Sequence, residues 1–361
     1  MGQEADCMTR DQLVAIDLFA GGGGLSLGLK QAGFLVSAAV ELDEVASATY
    51  QRNHPEAVLF SKDIKDVTGA ELVSTSPTGR VDLVAACPPC QSFSSLTSKY
   101  KREDGRDKLI NEFARIVAEI LPRTIMMENV PGLAGRGGHL FEPVIKKFKS
   151  LGYQVDYRLV EVADYGVPQC RKRLVVLGCL DSDISIPAPT HAENPENGKA
   201  PWVTVRDALK GLSKPLKLSN SKRKGGPRAV SWHVVRDISE INQMRLASLS
   251  EGGSRTEIPL HLRPACHKSD IGFTNVYGRM AWDKPSPTIT GGCTVPSKGR
   301  FGHPKECRTI SVREAARLQT FPDSYVFETD HIDKVCLIIG NALPPKFASV
   351  MASVCMDKLR E

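Results

Sequence analysis

The chain has 361 residues, a formal net charge of +6 and 41% hydrophobic residues, and no apolar run approaches the roughly 18 residues that span a bilayer. That length is comfortable for two soluble domains. Ten scattered cysteines in a chain of this size read as reduced thiols, which excludes a small disulfide scaffold. The start, Met1 to Asp11, is polar and acidic without an apolar signal core, so a cytoplasmic protein is expected. Charge is unevenly placed: residues 181–300 hold 18 Lys and Arg against 11 Asp and Glu, whereas the remainder is nearly balanced. An excess gathered in one internal third suits a polyanionic partner, although a solvated surface has the same composition.

The first 180 residues alternate short apolar runs with helical spacing. Strands are predicted at 13–19, 35–40, 81–86 and 124–127, the run 81–86 being counted as the third. Helices are predicted at 25–32, 45–53, 109–121 and 141–151. A late strand at 173–180 continues 154–160 after a turn. This alternation predicts an α/β fold with a doubly wound, mostly parallel sheet. The pattern fades from residue 181, where Pro, Gly, Ser and charge dominate and only weak helices are predicted, at 203–210 and 239–249. Helical spacing returns at 311–318 and 346–358. The predicted organisation is a catalytic part over 12–180, a basic, irregular module over 181–305, and a return to the first domain over 306–361.

Chemistry concentrates at the carboxyl ends of the predicted strands. The stretch Asp17-Leu-Phe-Ala-Gly-Gly-Gly-Gly-Leu-Ser-Leu-Gly28 follows a strand and opens a helix. Its glycines permit a sharp turn and close approach to a ligand, and the helix start offers N–H groups. Glu41, with Asp43 beside it, lies where an acid can accept ribose hydroxyls. Asp63, after the apolar patch 57–60, is placed to reach an adenine amino group. These residues point to a nucleoside-containing cofactor, and the glycine spacing is not a dinucleotide fingerprint; a plain strand–helix connector would use the same glycines.

Ala-Ala-Cys-Pro-Pro-Cys90-Gln follows the next strand, its prolines stiffening a loop that presents Cys90 as a candidate nucleophile. With Cys87 it also forms a C-x-x-C, but no second pair completes a zinc site, and a thioredoxin-like pair belongs to a smaller fold. Ordinary burial of both thiols stays open. Glu128, in Glu-Asn-Val-Pro-Gly132, would point into the same crevice, or cap the next turn. Arg171 and Arg173, at i and i+2, would share one face of a strand and both reach the pocket. Tyr277–Trp282 and Pro285–Gly292, with Thr288 and Thr290, are candidates for supporting the basic module, and Trp232 and His233 for packing.

In this order, these stretches resemble the cytosine-C5 DNA methyltransferase family, from about residue 14 to the end apart from the basic insert. The matching blocks are Phe19–Gly24, Pro88-Pro-Cys-Gln91, Glu128-Asn-Val130, Gln169-x-Arg171-x-Arg173, Ser311–Gln319 and Gly340-Asn-Ala-Leu-Pro-Pro345. The resemblance implies a Rossmann-like methyltransferase domain with a smaller, irregular target-recognition domain. It implies S-adenosyl-L-methionine as cofactor, held by Asp17, Phe19, Ala20, Gly21, Gly22, Gly23, Gly24, Leu25, Glu41, Leu42, Asp63, Ile64, Pro88, Asn341 and Ala342. It also implies a cytosine flipped from double-stranded DNA, attacked at C6 by Cys90. Glu128 would bind the N3 and N4 edge, while Arg171 and Arg173 hold the base carbonyl. Ala86-Cys87 depart from the family pattern, which often has glycine there. A monomer, off the membrane, alongside a cognate restriction endonuclease, is the further expectation. The same chemistry on transfer RNA, or a catalytically silent DNA-binding regulator, are alternatives; the intact Cys90, Glu128, Arg171 and Arg173 argue against the silent form.

Overall fold

The computed structural model describes residues 12–89, 108–269 and 275–361. The chain divides into two compact units. One contains residues up to Tyr165, Lys172–Pro189 and Leu343–Glu361; the other contains Gly166–Arg171 and Thr190–Ala342.

The first unit is a seven-stranded sheet: β1 (Val14–Leu18), β2 (Leu35–Val40), β3 (Val58–Phe60), β4 (Leu83–Ala86), β5 (Thr124–Asn129), β6 (Gln154–Glu161) and β7 (Lys172–Cys179). Their order is β3-β2-β1-β4-β5-β7-β6, with every pairing parallel except those of β7. β1, β4 and β5 are buried along their whole length, as strands covered on both faces must be, which is why they read as continuous apolar runs. One expectation needs correcting. The patch ending at Phe60 is itself an edge strand, so the run before Cys87 is the fourth strand. Three residues with little burial carry too weak a period to be seen in the sequence.

Helices α1 (Gly24–Gln31), α2 (Glu44–Asn53), α3 (Gly69–Ser74), α4 (Ile110–Ile120) and α5 (Gly138–Ser150) connect the strands. In α4, Ile110, Phe113, Ala114, Ile116 and Val117 form the buried stripe, and each large side chain contributes about 1.5–3 kcal/mol by burial. Among the described residues, the stretch 332–360 is helical, long and apolar, and its strongest 18-residue window is 67% buried. It is broken into helices Ile332–Asn341 and Pro345–Arg360 by two prolines. The second of these packs on α1 at Gly28, where an added Cβ would lie 2.4 Å from the Ala348 Cβ and 2.7 Å from the Pro345 carbonyl oxygen.

The second unit has little sheet, and buried arginines take over the work of a ladder by donating to loop carbonyls. Arg313 donates to the carbonyls of Ser231, Pro322 and Tyr325. Arg279 donates to those of His303, Glu306 and Leu246. Arg308 is bidentate on the buried Glu314, at 2.7 and 2.9 Å. Burial alone would raise the Glu314 carboxyl, but Arg308 holds it below its ordinary value. Part of the arginine content of residues 181–300 therefore braces the fold: Arg255 and Arg279 are buried. Trp232, also buried, donates its indole N–H to the Phe327 carbonyl, a packing role as expected.

Gly28→Ala gives a test with a definite sign. In an open helix this change would stabilise by up to about 1 kcal/mol. Here the methyl group meets backbone, so a loss of about 1–3 kcal/mol and a lowered melting temperature are expected in thermal denaturation.

Candidate active site

The parallel register sets the strand ends level. Leu18 lies beside Val40 and Ala86, and Ala86 beside Met127, so Phe19, Glu41 and Cys87 leave the sheet at one edge, level with Glu128 near the end of β5. This is the edge at which open α/β sheets bind ligands. After β1 the chain enters the left-handed region at Phe19 (φ 61°), Gly21 (φ 54°) and Gly23 (φ 90°). For Phe19 that conformation is strained and must be held by its surroundings. Ala20 N–H donates to the Val40 carbonyl at 3.0 Å, and Gly23 N–H to the Ala20 carbonyl at 2.9 Å. Gly21 N–H donates to the Glu41 carboxylate at 2.7 Å, while the other Glu41 oxygen accepts Asp43 N–H at 2.7 Å. Asp43 then caps α2 through Val45 and Ala46.

A polar chain that the sequence reading missed lies behind this loop. Ser26 Oγ donates to Asp17 at 2.7 Å and lies 2.9 Å from the Tyr50 hydroxyl. Four residues on, His54 Nε2 is 3.1 Å from the Gly23 carbonyl. Tyr50 and His54 stack at 4.7 Å, as i, i+4 partners on and just beyond α2. Burial, then Lys30, lower the His54 pKa to about 4, so the neutral ring donates to Gly23. Asp17 is fully buried and its Oδ1 has no hydrogen-bond partner among the described residues. Burial lifts its carboxyl to about 7, partly offset by Ser26, with Glu41 adding to the rise. The spacing of Ser26, Tyr50 and His54 was the available signal, but each reads as an ordinary helix residue.

Two strands over, the Glu128 carboxylate pairs with the Arg173 guanidinium, both about nine-tenths buried. Cys87 lies beside them: burial, then Glu128 and Asp17, push its thiol well above its ordinary value. This holds Cys87 protonated. Asn129 donates its side-chain N–H to the Pro88 carbonyl at 3.0 Å, and Pro88 is buried, so the proline loop is anchored up to Pro89. Cys90, the expected nucleophile, lies outside the described residues.

β7 begins at Lys172, and Arg171 precedes it with a guanidinium turned to its own unit, where Nη1 donates to the carbonyls of Ile289 (2.9 Å) and Gly340 (3.1 Å). The i, i+2 argument placed both arginines on the strand, whereas Arg171 stands just before it. Gln169 Nε2 donates to Gln319 Oε1 at 2.6 Å, and Gln319 Nε2 to the Ile339 carbonyl at 2.6 Å. Gln169 Oε1 in turn accepts Ile289 N–H at 2.7 Å. Arg171 and Gln319 thus cap the exposed carbonyls at the end of helix Ile332–Asn341. They fix the segment that carries Asn341 and Ala342. Gly340 has no room for a side chain, since an added Cβ would meet the Thr290 and Gly291 backbone at 2.2 Å. Thr288 Oγ1 donates to the Cys170 carbonyl at 2.9 Å, so the 285–292 stretch does brace the loop.

The residues at the glycine loop fit a cationic nucleoside ligand. Phe19 is partly exposed, Leu42 is 64% exposed, and a Cβ built on Gly21 meets nothing within 4 Å. Apolar surface for a base therefore borders open space beside the loop. Glu41 and Asp63 supply acceptors at the ends of β2 and β3; Asp63 caps the turn at Ile64, which is buried. Ala20 and Leu25 are buried and support the loop from beneath.

Two measurements follow. The folded state holds the Asp17 proton to about pH 7, while the unfolded chain releases it near 3.8. Stability should therefore fall as pH rises between those values. Asp17→Asn removes this loss, so urea denaturation is expected to show the variant gaining on the wild type from pH 4 to 7 and keeping the gain above. Parallel curves would refute the assignment. Arg173→Ala leaves Glu128 buried without its cation and is expected to cost about 3–5 kcal/mol. Adding Glu128→Gln should recover part of that loss in a double-mutant cycle.

A family model described as C-5 cytosine-specific DNA methylase matches residues 13–357. The Type II methylase M.HgiDII of Herpetosiphon aurantiacus is 39% identical over 93% of both chains. The Type II methyltransferase M1.HphI of Haemophilus parahaemolyticus is 33% identical, covering 97% of this chain and 87% of its own. Among solved structures, a DNA modification methyltransferase encoded within an E. coli prophage superposes with a TM-score of 0.73 at 27% identity, over 97% of this chain and all of that one. The S. pombe Dnmt2 methyltransferase shares the fold, with a TM-score of 0.65 at 16% identity over 97% of this chain and all of that one. The chain belongs to the C-5 cytosine-specific DNA methylase family.

Proposed function

We propose that this protein methylates C5 of a cytosine flipped out of a specific duplex DNA sequence, with S-adenosyl-L-methionine as donor and Cys90 as the covalent nucleophile. The observation that carries the reading is the buried Glu128–Arg173 pair at the strand edge that also bears the glycine loop and the anchored Pro88 turn. Asp17–Leu25, Glu41–Leu42, Asp63–Ile64, Pro88 and Asn341–Ala342 would hold the cofactor, whose chemistry would be that of an electrophilic methyl group.

The chain's own residues do the rest. Cys90, deprotonated, bonds C6 of the cytosine, and the 5,6 double-bond electrons move to C5, which takes the methyl. Loss of the C5 proton then returns an electron pair to the ring and expels the Cys90 thiolate. Glu128 holds the N3 and N4 edge and stabilises the charge that builds up there. Arg173 fixes Glu128 and faces the base carbonyl. Arg171, with its Nη1 hydrogens on Ile289 and Gly340, acts instead by holding the Asn341 segment.

The catalytic assignment extends over 12–180 and 306–361, with target recognition over 181–305. The exposed turn Lys222–Lys224 is a phosphate-binding element of that module. A monomer working in the cytoplasm, paired with a restriction endonuclease of the same specificity, completes the proposal; it rests on the Type II names of the relatives.

Cys90→Ala is expected to abolish methyl transfer to DNA while cofactor binding persists in calorimetry. Wild-type protein should form a denaturation-resistant adduct with duplex DNA bearing 5-fluorocytosine. Transfer by the variant would remove Cys90 from the mechanism, and methylation of RNA with DNA untouched would overturn the substrate.

A further inference from the structure

Methyl transfer changes the charge of the bound cofactor by one: the sulfonium donor is a cation at sulfur, and the thioether product is neutral there. The surroundings of Asp17 are suited to sense that change. Its carboxyl is wholly buried, with Oδ2 held by Ser26 and Oδ1 without a hydrogen-bond partner among the described residues. The contact to Ser26 closes residues 17–26 into a ring whose far side is the glycine loop.

The charged and titratable groups around it are few. Glu41 stands at the end of β2, and Glu128 and Cys87 at the ends of β5 and β4; these are acids or a neutral thiol. Arg173 is the nearby cation, already paired with Glu128. From α2, Tyr50 and neutral His54 face the loop, while Lys30 is paired with Glu56 at 2.5 Å. The balance at this edge is negative. An amide would fill the space of Asp17 and accept the same bond from Ser26 without the cost of a buried acid.

We propose, resting on the methyl-transfer reading above, that Asp17 is a specificity-determining residue whose buried carboxylate makes the glycine loop favour the sulfonium donor over the thioether product. The donor is drawn in while cationic and loses that attraction when the methyl leaves. Asp17 ionises over the neutral range, so the preference should strengthen with pH.

The test compares S-adenosyl-L-methionine with S-adenosyl-L-homocysteine by calorimetry on the full chain without DNA, at pH 6 and pH 8. Both ligands carry the same α-amino group, so the ratio of their dissociation constants largely cancels its titration. In the wild type that ratio should move three- to tenfold, by rough Coulomb reckoning, toward the donor on raising the pH. Asp17→Asn should flatten it. Ser26→Ala removes the bond that favours the ionised acid and should displace the rise to higher pH, which gives a second reading should Asp17→Asn not fold. A ratio indifferent to pH in the wild type, or unchanged in both variants, overturns the proposal. Failure of the wild type to bind either ligand would instead overturn the cofactor assignment.

Discussion

Everything at the candidate site depends on the parallel register of four neighbouring strands. Because β2, β1, β4 and β5 run the same way in register, the residues that follow β2, β1 and β4 share one edge with Glu128 of β5, although they span more than a hundred positions of sequence. Nothing else in the chain could bring Phe19, Glu41, Cys87 and Glu128 together. The cost of that convergence is electrostatic, since three of the strands deliver acids to a place with little water. The structure meets it in three ways: Glu128 is given a guanidinium, Glu41 is given backbone N–H groups, and Asp17 is left to hold its proton into the neutral range.

The second unit meets the opposite demand. With short, isolated ladders it has many loop carbonyls to satisfy, and buried arginines and glutamines satisfy them. Arg171, Arg279, Arg313 and Gln319 each bind two or more carbonyls or bridge to a neighbour that does. Such residues are counted as charge or polarity in a composition, yet their function is that of a missing β-strand. The basic character of residues 181–300 therefore has two sources, and only exposed groups such as those of Lys222–Lys224 remain for a polyanion.

The sheet was legible because fully buried parallel strands are long apolar words bounded by glycine and proline, and β1, β2, β4, β5 and β7 fell within a few residues of their predicted limits. β3 was not, being too short to show a period. Glu128 and Arg173 were picked out by their place at strand ends, and the structure joins them in an ion pair. Arg171 was expected on a strand that begins only at Lys172, a boundary that local pattern fixes only to within a residue or two. Ser26, Tyr50 and His54 went unseen for a different reason: their meaning lies in contacts with Asp17 and Gly23, and no spacing rule encodes a hydrogen bond across two helices and a turn. Helix Ile332–Asn341 was not among the predicted elements.

The seat of Gly28 against Ala348 has a consequence for the nascent chain. The helix that backs the glycine loop is translated only after the whole of residues 190–342. At bacterial or eukaryotic elongation speeds that interval is roughly ten to thirty seconds. Throughout it, α1 has sheet on one side and no partner for the other. The glycine loop is thus completed only after the insert has been made, and a chain broken off within the insert carries every residue of that loop without the helix that steadies it.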